Sequence, residues 1–256
     1  MLGDFVMKVL AVETATKQLG VALLDGQTLL GSFELLTKEY PHATELPDAV
    51  TRLLRSAGLR LKDLEGVVVD IGPGSFTGLR IGVAFVKGLL FGKPTPVAGV
   101  SSLDVLAAGL GHGAQPVCVL VDAKQQKVYA ARYRLDNPLP QWQGDYLLGS
   151  IEQALASCPP SEPVMFLGDG CALYREQILA RCPKAQIAPT EFWWPRAPVL
   201  ARLGAQRLEQ GQHDSLERLV PMYLYAQDCG VNPSLRLPNQ PRKTARIGDT
   251  SHFPSV

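Results

Sequence analysis

Between a valine run, Val67-Val68-Val69, and an apolar stretch reaching Gly92 lie seven residues, Gly72-Pro73-Gly74-Ser75-Phe76-Thr77-Gly78. Few folds accept three glycines and two hydroxyls at such a junction. Val67 to Val69 with Ile71 reads as a short buried strand of the kind found in parallel sheets, and the stretch after the glycines reads as helix. A glycine-rich strand-to-helix turn is a building block of α/β lobes. Its backbone amides, at Gly72, Gly74, Ser75 and Thr77, could cradle an anion at the helix start. The other reading is a tight turn in which Ser75 or Thr77 caps the helix and the glycines allow close packing. The spacing Gly-x-Gly-x-x-x-Gly fits neither a Walker A loop, which needs Gly-Lys-Ser/Thr, nor a dinucleotide fingerprint.

The flanking chain supplies the rest of such a lobe. Val6 to Glu13 is an apolar run, and Gly20 to Leu24 and Leu29 to Leu36 form a hairpin about Asp25-Gly26. Leu46, Ala49, Val50, Leu53, Leu54 and Ala57 make one helical stripe that Gly58 ends. Pro96 to Val100 is a strand, and Ser101-Ser102-Leu103-Asp104 opens another helix. The pattern then partly repeats. Pro116 to Asp122 and Val128 to Tyr133 read as strands around the turn Ala123 to Lys127, and Val164 to Leu167 follows Pro159, Pro160 and Pro163. After Gly168-Asp169-Gly170 come a helix from Ala172 to Arg181, another from Ala197 to Glu209, and a short strand from Val220 to Leu224. The simplest parse is a first lobe over 1–105 and a smaller second lobe over 106–228. From 229 to 256 the composition turns to Pro, Arg, Lys, Ser and Asn without periodicity, which reads as a disordered tail.

With 46% apolar and 19% charged residues in 256, the chain can bury a sizeable core. A net charge of +1 gives no field to grip a polyanion, so nucleic acid would be met only indirectly. The five cysteines never form Cys-x-x-Cys, and the four histidines form no His-x-x-x-His pair, so no local metal motif is present. Cys118, in an apolar run, reads as a small core residue. Apolar runs such as Gly82 to Gly92 are too short to span a bilayer, and the N-terminus lacks the pattern of a signal peptide. A cytoplasmic protein without membrane contact is the expectation.

Two sets of candidate residues follow. At the end of the first strand, Glu13, Thr14 and Thr16 bring an acid and two hydroxyls to where an anion or nucleotide could be met. The competing reading is a solvated strand end. Asp122 reads as a turn former and Gly168 to Gly170 as structural, the alternative being that they serve a nucleotide in the second lobe. On the helix after the glycine turn, a wheel places Gly78, Gly82, Phe85 and Leu89 on the face to be buried. The opposite face carries Arg80 and Lys87, flanked by Val83, Ala84, Phe91 and Leu90. A helix apolar nearly all round needs cover on both sides, so a second chain is expected there, with Ala84 and Gly88 allowing close approach. The alternative is cover by the second lobe or the tail.

In combination, Val9 to Thr16, Gly72 to Gly82, Gly99-Val100-Ser101-Ser102-Leu103, and Val121-Asp122-Ala123 with Val128-Tyr129-Ala130-Ala131 resemble the TsaB family up to about Tyr225. The Gly-Pro-Gly-Ser-Phe-Thr-Gly block is also typical of TsaD, the catalytic paralogue, whose paired-histidine motif is represented here only by a solitary His42. The resemblance implies an α/β fold with two lobes of the actin, Hsp70 and sugar-kinase type (ribonuclease H-like), the second lobe reduced. It implies a non-catalytic subunit that binds and activates a TsaD-like synthase in tRNA threonylcarbamoyladenosine modification, assembles with a TsaE-like ATPase, and can form a homodimer alone. No cofactor of its own is implied, beyond weak ATP or ADP at the complex interface. Two positions depart from the family pattern: Glu13 stands where an Asp is usual, and Tyr225 follows Pro221 to Leu224 where an Arg is common. The competing functions are an ATPase or kinase of the same fold, which would need more than Glu13 and Gly168 to Gly170, and a glycoprotease-like peptidase, for which no Gly-x-Ser-x-Gly elbow exists.

Overall fold

The computed structural model describes residues 7–36, 42–136 and 139–224. Val6, Tyr225 and the tail reading over 229–256 lie outside the described residues. Five strands make the first sheet: β1 (Lys8–Glu13), β2 (Gln18–Asp25), β3 (Thr28–Leu36), β4 (Gly66–Gly72) and β5 (Val97–Ser101). Their order is β3-β2-β1-β4-β5, antiparallel from β3 to β1 and parallel from β1 to β5. The hairpin turns at Gly26, whose φ of 54° is open to glycine at little cost. Three helices follow their strands: α1 (His42–Ser56), α2 (Phe76–Leu90) and α3 (Ser102–Gly109).

The second sheet repeats the plan. β6 (Gly113–Lys124), β7 (Lys127–Leu135), β8 (Gln141–Trp142), β9 (Leu147–Gly149), β10 (Met165–Leu167) and β11 (Gln186–Ile187) are ordered β11-β10-β6-β7-β8, with β9 also on β7. Antiparallel pairs lie on one side of β6 and parallel pairs on the other, as around β1. Two sheets with this shared order make the two-lobe, ribonuclease H-like fold of the actin, Hsp70 and sugar-kinase type. The second copy is reduced: its helices α4 (Ile151–Ala156), α5 (Gly170–Leu173) and α6 (Arg175–Arg181) are short, and β11 has two residues. Tyr174 separates α5 from α6 where one helix was expected.

β1 and β4 are buried on both faces, which is why they read as unbroken apolar runs. Leu10, Val12, Val67 and Val69 face α1 and α2, meeting Leu46, Val50, Val86 and Leu90. Val9, Ala11 and Val68 face the other way, onto Leu200, Ala201, Ala205 and Leu208 of α7 (Ala197–Glu209). This corrects the contiguous parse, in which 197–209 belonged to the second lobe. An apolar helix stripe calls for cover but does not say which sheet provides it. Gly204 permits the contact, since a Cβ there would sit closer than 3.0 Å to Val68.

α3 is shared between the lobes, with Val105 in the first sheet's core and Leu103, Leu106 and Ala107 in the second's. Cys118, Cys158, Cys171 and Cys182, scattered in sequence, converge as buried free thiols in one core cluster of the second lobe. The strand expected from Val220 to Leu224 does not form. Pro221 has no amide to donate, and the segment is held by Met222 N–H donating to Ile71 O at 2.6 Å.

Candidate functional site

The glycine turn is built against the end of β1. Ser75 is the N-cap of α2, its Oγ accepting from Gly78 N–H at 3.2 Å. Its own N–H donates to Ala15 O at 2.7 Å, so one amide that an anion would need is already engaged. A Cβ on Gly74, Gly78 or Gly82 would come closer than 3.0 Å to Ala15 O, Thr14 O and Thr14 Oγ1 respectively. Gly72 has φ of 99°. The glycines are therefore explained by close approach of α2 to residues 14–15. Thr77 is exposed, and Gly74 and Ser75 are half-buried.

Glu13 is not a solvated strand end. It is fully buried, as is Thr14, and Thr16 is buried too, its Oγ1 accepting from Gln18 N–H at 3.1 Å. The start of α7 closes over Glu13: a Cβ on Gly20 would lie 3.0 Å from Ala197 Cβ and 3.2 Å from Glu13 Cβ. Glu13 Oε1 accepts from Ala15 N–H at 2.7 Å. Burial, and then the neighbouring Asp70, hold the Glu13 carboxyl well above the usual carboxylate range. Asp70 is also fully buried; its Oδ1 accepts from Gly72 N–H and from Ser102 Oγ, both at 2.6 Å, and burial raises its carboxyl as well. Sequence reasoning passed over Asp70, although an acid between Val69 and Ile71 in a buried strand is a signal. Neither carboxyl is presented to a ligand in this geometry.

His42 is buried, with Nε2 2.9 Å from Thr16 O. In the second lobe Asp122 shapes its own hairpin, accepting from Lys124 N–H at 2.8 Å and pairing with the Lys124 ammonium. Asp122 N–H donates to Asp169 Oδ1 at 2.9 Å. A Cβ on Gly168 would come closer than 3.0 Å to Leu120 O. These contacts give Gly168 to Gly170 a packing role.

The outer face of α2 differs from the expected wheel. Val83 (4% exposed) and Leu90 (1%) belong to the core, so neither is on the outer face where a second chain was expected. The buried arc runs through Leu79, Gly82, Val83, Val86 and Leu90, about one residue round from the expected face, and leaves Phe85 and Leu89 half-buried. Arg80, Ala84 and Gly88 are exposed, as is Phe91 at the C-cap with 85% of its surface free. A Cβ on Gly88 would meet open space.

Residues 217–223 flank one edge of this strip. Lys87 Nζ donates to Glu217 O at 3.0 Å, and Arg80 Nε donates to Tyr223 Oη at 3.1 Å. The Arg80 guanidinium lies 3.7 Å over the Phe76 ring, whose centroid is 5.4 Å from that of Tyr223.

A family model described as TsaD, tRNA N6-adenosine threonylcarbamoyltransferase, matches residues 38–231. The tRNA threonylcarbamoyladenosine biosynthesis protein TsaB of Bacillus subtilis (strain 168) is 32% identical over 223 residues, spanning 85% of this chain and 94% of that protein. This chain belongs to the TsaB family. The Escherichia coli (strain K12) TsaB is 38% identical over 132 residues, 51% of this chain and 56% of the relative. Among solved structures, YeaZ from Pseudomonas aeruginosa superposes with a TM-score of 0.74 at 29% identity, covering 86% of this chain and all of that one. No helix among the described residues is long and apolar enough to cross a membrane.

Proposed function

We propose that this chain is a non-catalytic subunit in tRNA threonylcarbamoyladenosine biosynthesis, which binds a TsaD-like synthase on the outer face of α2 and activates it. The observation that carries this reading is the strip Arg80, Ala84, Gly88 and Phe91: two exposed small residues, with open space at Gly88, between a cation and an exposed aromatic ring. Small residues let a partner's helix approach closely, and aromatic and arginine side chains are the usual anchors of interfaces. Lys87 supports the edge of the strip through Glu217.

A non-catalytic role is supported by Glu13 and Asp70, whose carboxyls are enclosed and bonded to the backbone beside them. In this reading the protein works in the cytoplasm, a TsaE-like ATPase joins the pair, and tRNA is reached only through the synthase. ATP or ADP would bind weakly at the complex interface, the chain having no cofactor of its own, and a second copy would take the strip when the synthase is absent.

The test is Ala84→Arg, which forces a long charge into a close-packed contact. The variant should melt like wild type but lose about 2–4 kcal/mol of association with the synthase in co-purification and titration. Unchanged pairing would remove α2 from the interface, and a lowered melt would return this face to cover by the chain itself.

A further inference from the structure

β1 and β4 run parallel with Val9 beside Gly66, Ala11 beside Val68 and Val12 beside Val69, so the next step along both strands sets Glu13 beside Asp70. Alternation puts both side chains on the face of Val9, Ala11 and Val68, the face that α7 covers. Neighbouring strands lie about 4.8 Å apart, so the two carboxyls are close neighbours. Each has one oxygen engaged: Glu13 Oε1 accepts from Ala15 N–H, and Asp70 Oδ1 accepts from Gly72 N–H and from the Ser102 hydroxyl. The other two oxygens, Glu13 Oε2 and Asp70 Oδ2, are buried and have no other group to bond among the described residues.

Two ionised carboxylates are acceptors only and would repel each other in a medium that screens little. One proton turns the pair into donor and acceptor. The charged groups nearby do not supply an alternative. From β3, Glu34 pairs with Arg196 at 3.3 Å and caps Ala197 N–H at 3.1 Å. From α3, Asp104 accepts the hydroxyls of Tyr133 at 2.7 Å and Tyr146 at 2.8 Å. From α7, Arg207 donates to Gly99 O and lies 3.7 Å from Asp214.

We propose that Glu13 and Asp70 form a buried site that binds one proton, held between Glu13 Oε2 and Asp70 Oδ2, and that this proton fastens the seat of α2. The seat is continuous with the pair: Glu13 holds Ala15 N–H, Ala15 O holds Ser75 N–H, and Asp70 holds Gly72 N–H. The site does not depend on the docking role, because it is a property of the isolated chain.

Folding then takes up a proton. Below the ordinary carboxylate range both states are protonated and the contribution is fully present. As pH rises from that range toward the titration of the folded pair, the unfolded chain gives up the proton and stability falls, tenfold in the unfolding constant per pH unit. The experiment is urea unfolding of wild type and Glu13→Gln from about pH 5 to about pH 8, with carbon-13 NMR of the Glu13 carboxyl in wild type. The glutamine of that variant offers Asp70 an amide N–H at every pH, so the ratio of the two unfolding constants should change about tenfold per pH unit, with the wild-type Glu13 signal at its protonated position at pH near 7. If Glu13→Gln does not fold, Asp70→Asn removes the same shared proton and the NMR reading stands by itself. Parallel pH profiles, or a Glu13 signal in the carboxylate position at neutral pH, would overturn the proposal. So would stabilisation by added sodium or magnesium chloride that Glu13→Gln abolishes, since a metal cation would then occupy the site.

Discussion

Gly78→Ala tests whether the glycine turn exists for packing. The new Cβ would come closer than 3.0 Å to Thr14 O, a distance real Cβ atoms essentially never show, and the obstacle is backbone. Relief requires α2 to move off the end of β1, which strains Ser75 N–H to Ala15 O (2.7 Å) and the contact of Gly82 with Thr14. Overpacking costs about 1–3 kcal/mol where side chains can adjust, and a backbone obstacle should exceed that range. Alanine returns about 1 kcal/mol through helix propensity. The net loss should be about 2–3 kcal/mol, or roughly 4–12 °C in Tm for a domain of this size. Gly88→Ala is the control on the same helix: with open space around its Cβ, it should gain about 0.5–1 kcal/mol from propensity alone. Urea and thermal unfolding of both variants decide the matter. A Gly78→Ala variant as stable as wild type, with a defect seen only in phosphate or nucleotide binding, would refute the packing account in favour of an anion cradle.

Two further outcomes follow from the second lobe. Lys124, Gln125 and Gln126 all have left-handed φ, 64°, 50° and 60°, so Gln126→Gly should raise stability by about 0.5–1 kcal/mol in denaturant titration. Tyr133→Phe removes one of two hydroxyls that hold the half-buried Asp104, costing about 1–2 kcal/mol. Burial raises the Asp104 carboxyl and the hydroxyls lower it, so the variant's carboxyl rises further and its deficit should widen as pH increases.

Much of the first lobe was legible because its signals are local. The valine and leucine runs of β1 and β4, the Asp25-Gly26 turn and the α1 stripe each settle their own element. What was not legible depends on chain returning from far away. Leu200, Leu203 and Leu208 announce a helix that needs cover, yet nothing in their spacing says that Val68 and Ala11 provide it. Glu13 at a strand end reads as solvated until α7 lies over it, and Asp70 gains meaning only beside Glu13. The face of α2 was misjudged by about one residue because α1 and the sheet together bury a wider arc than one row of side chains, drawing in Val83 and Leu90. The convergence of four thiols is likewise set by the packing of β6 against α4, α5 and α6.

The same returning segment accounts for both halves of the functional reading. Its helix, α7, covers one face of the first sheet, the face on which Glu13 and Asp70 are buried. The stretch after it passes along α2, where Leu219 enters the core, Glu217 O receives Lys87 and Tyr223 receives Arg80. That strap fixes one edge of α2 and stops short of Ala84, Gly88 and Phe91, which stay exposed. The proposed binding role rests on that pairing: acids buried at one face and a strip of small residues uncovered at the other. The exposed strip is carried on a helix seated along its length by Val83, Val86 and Leu90 and tied at its N-terminal end through Ser75 N–H to Ala15 O, next to the enclosed acids.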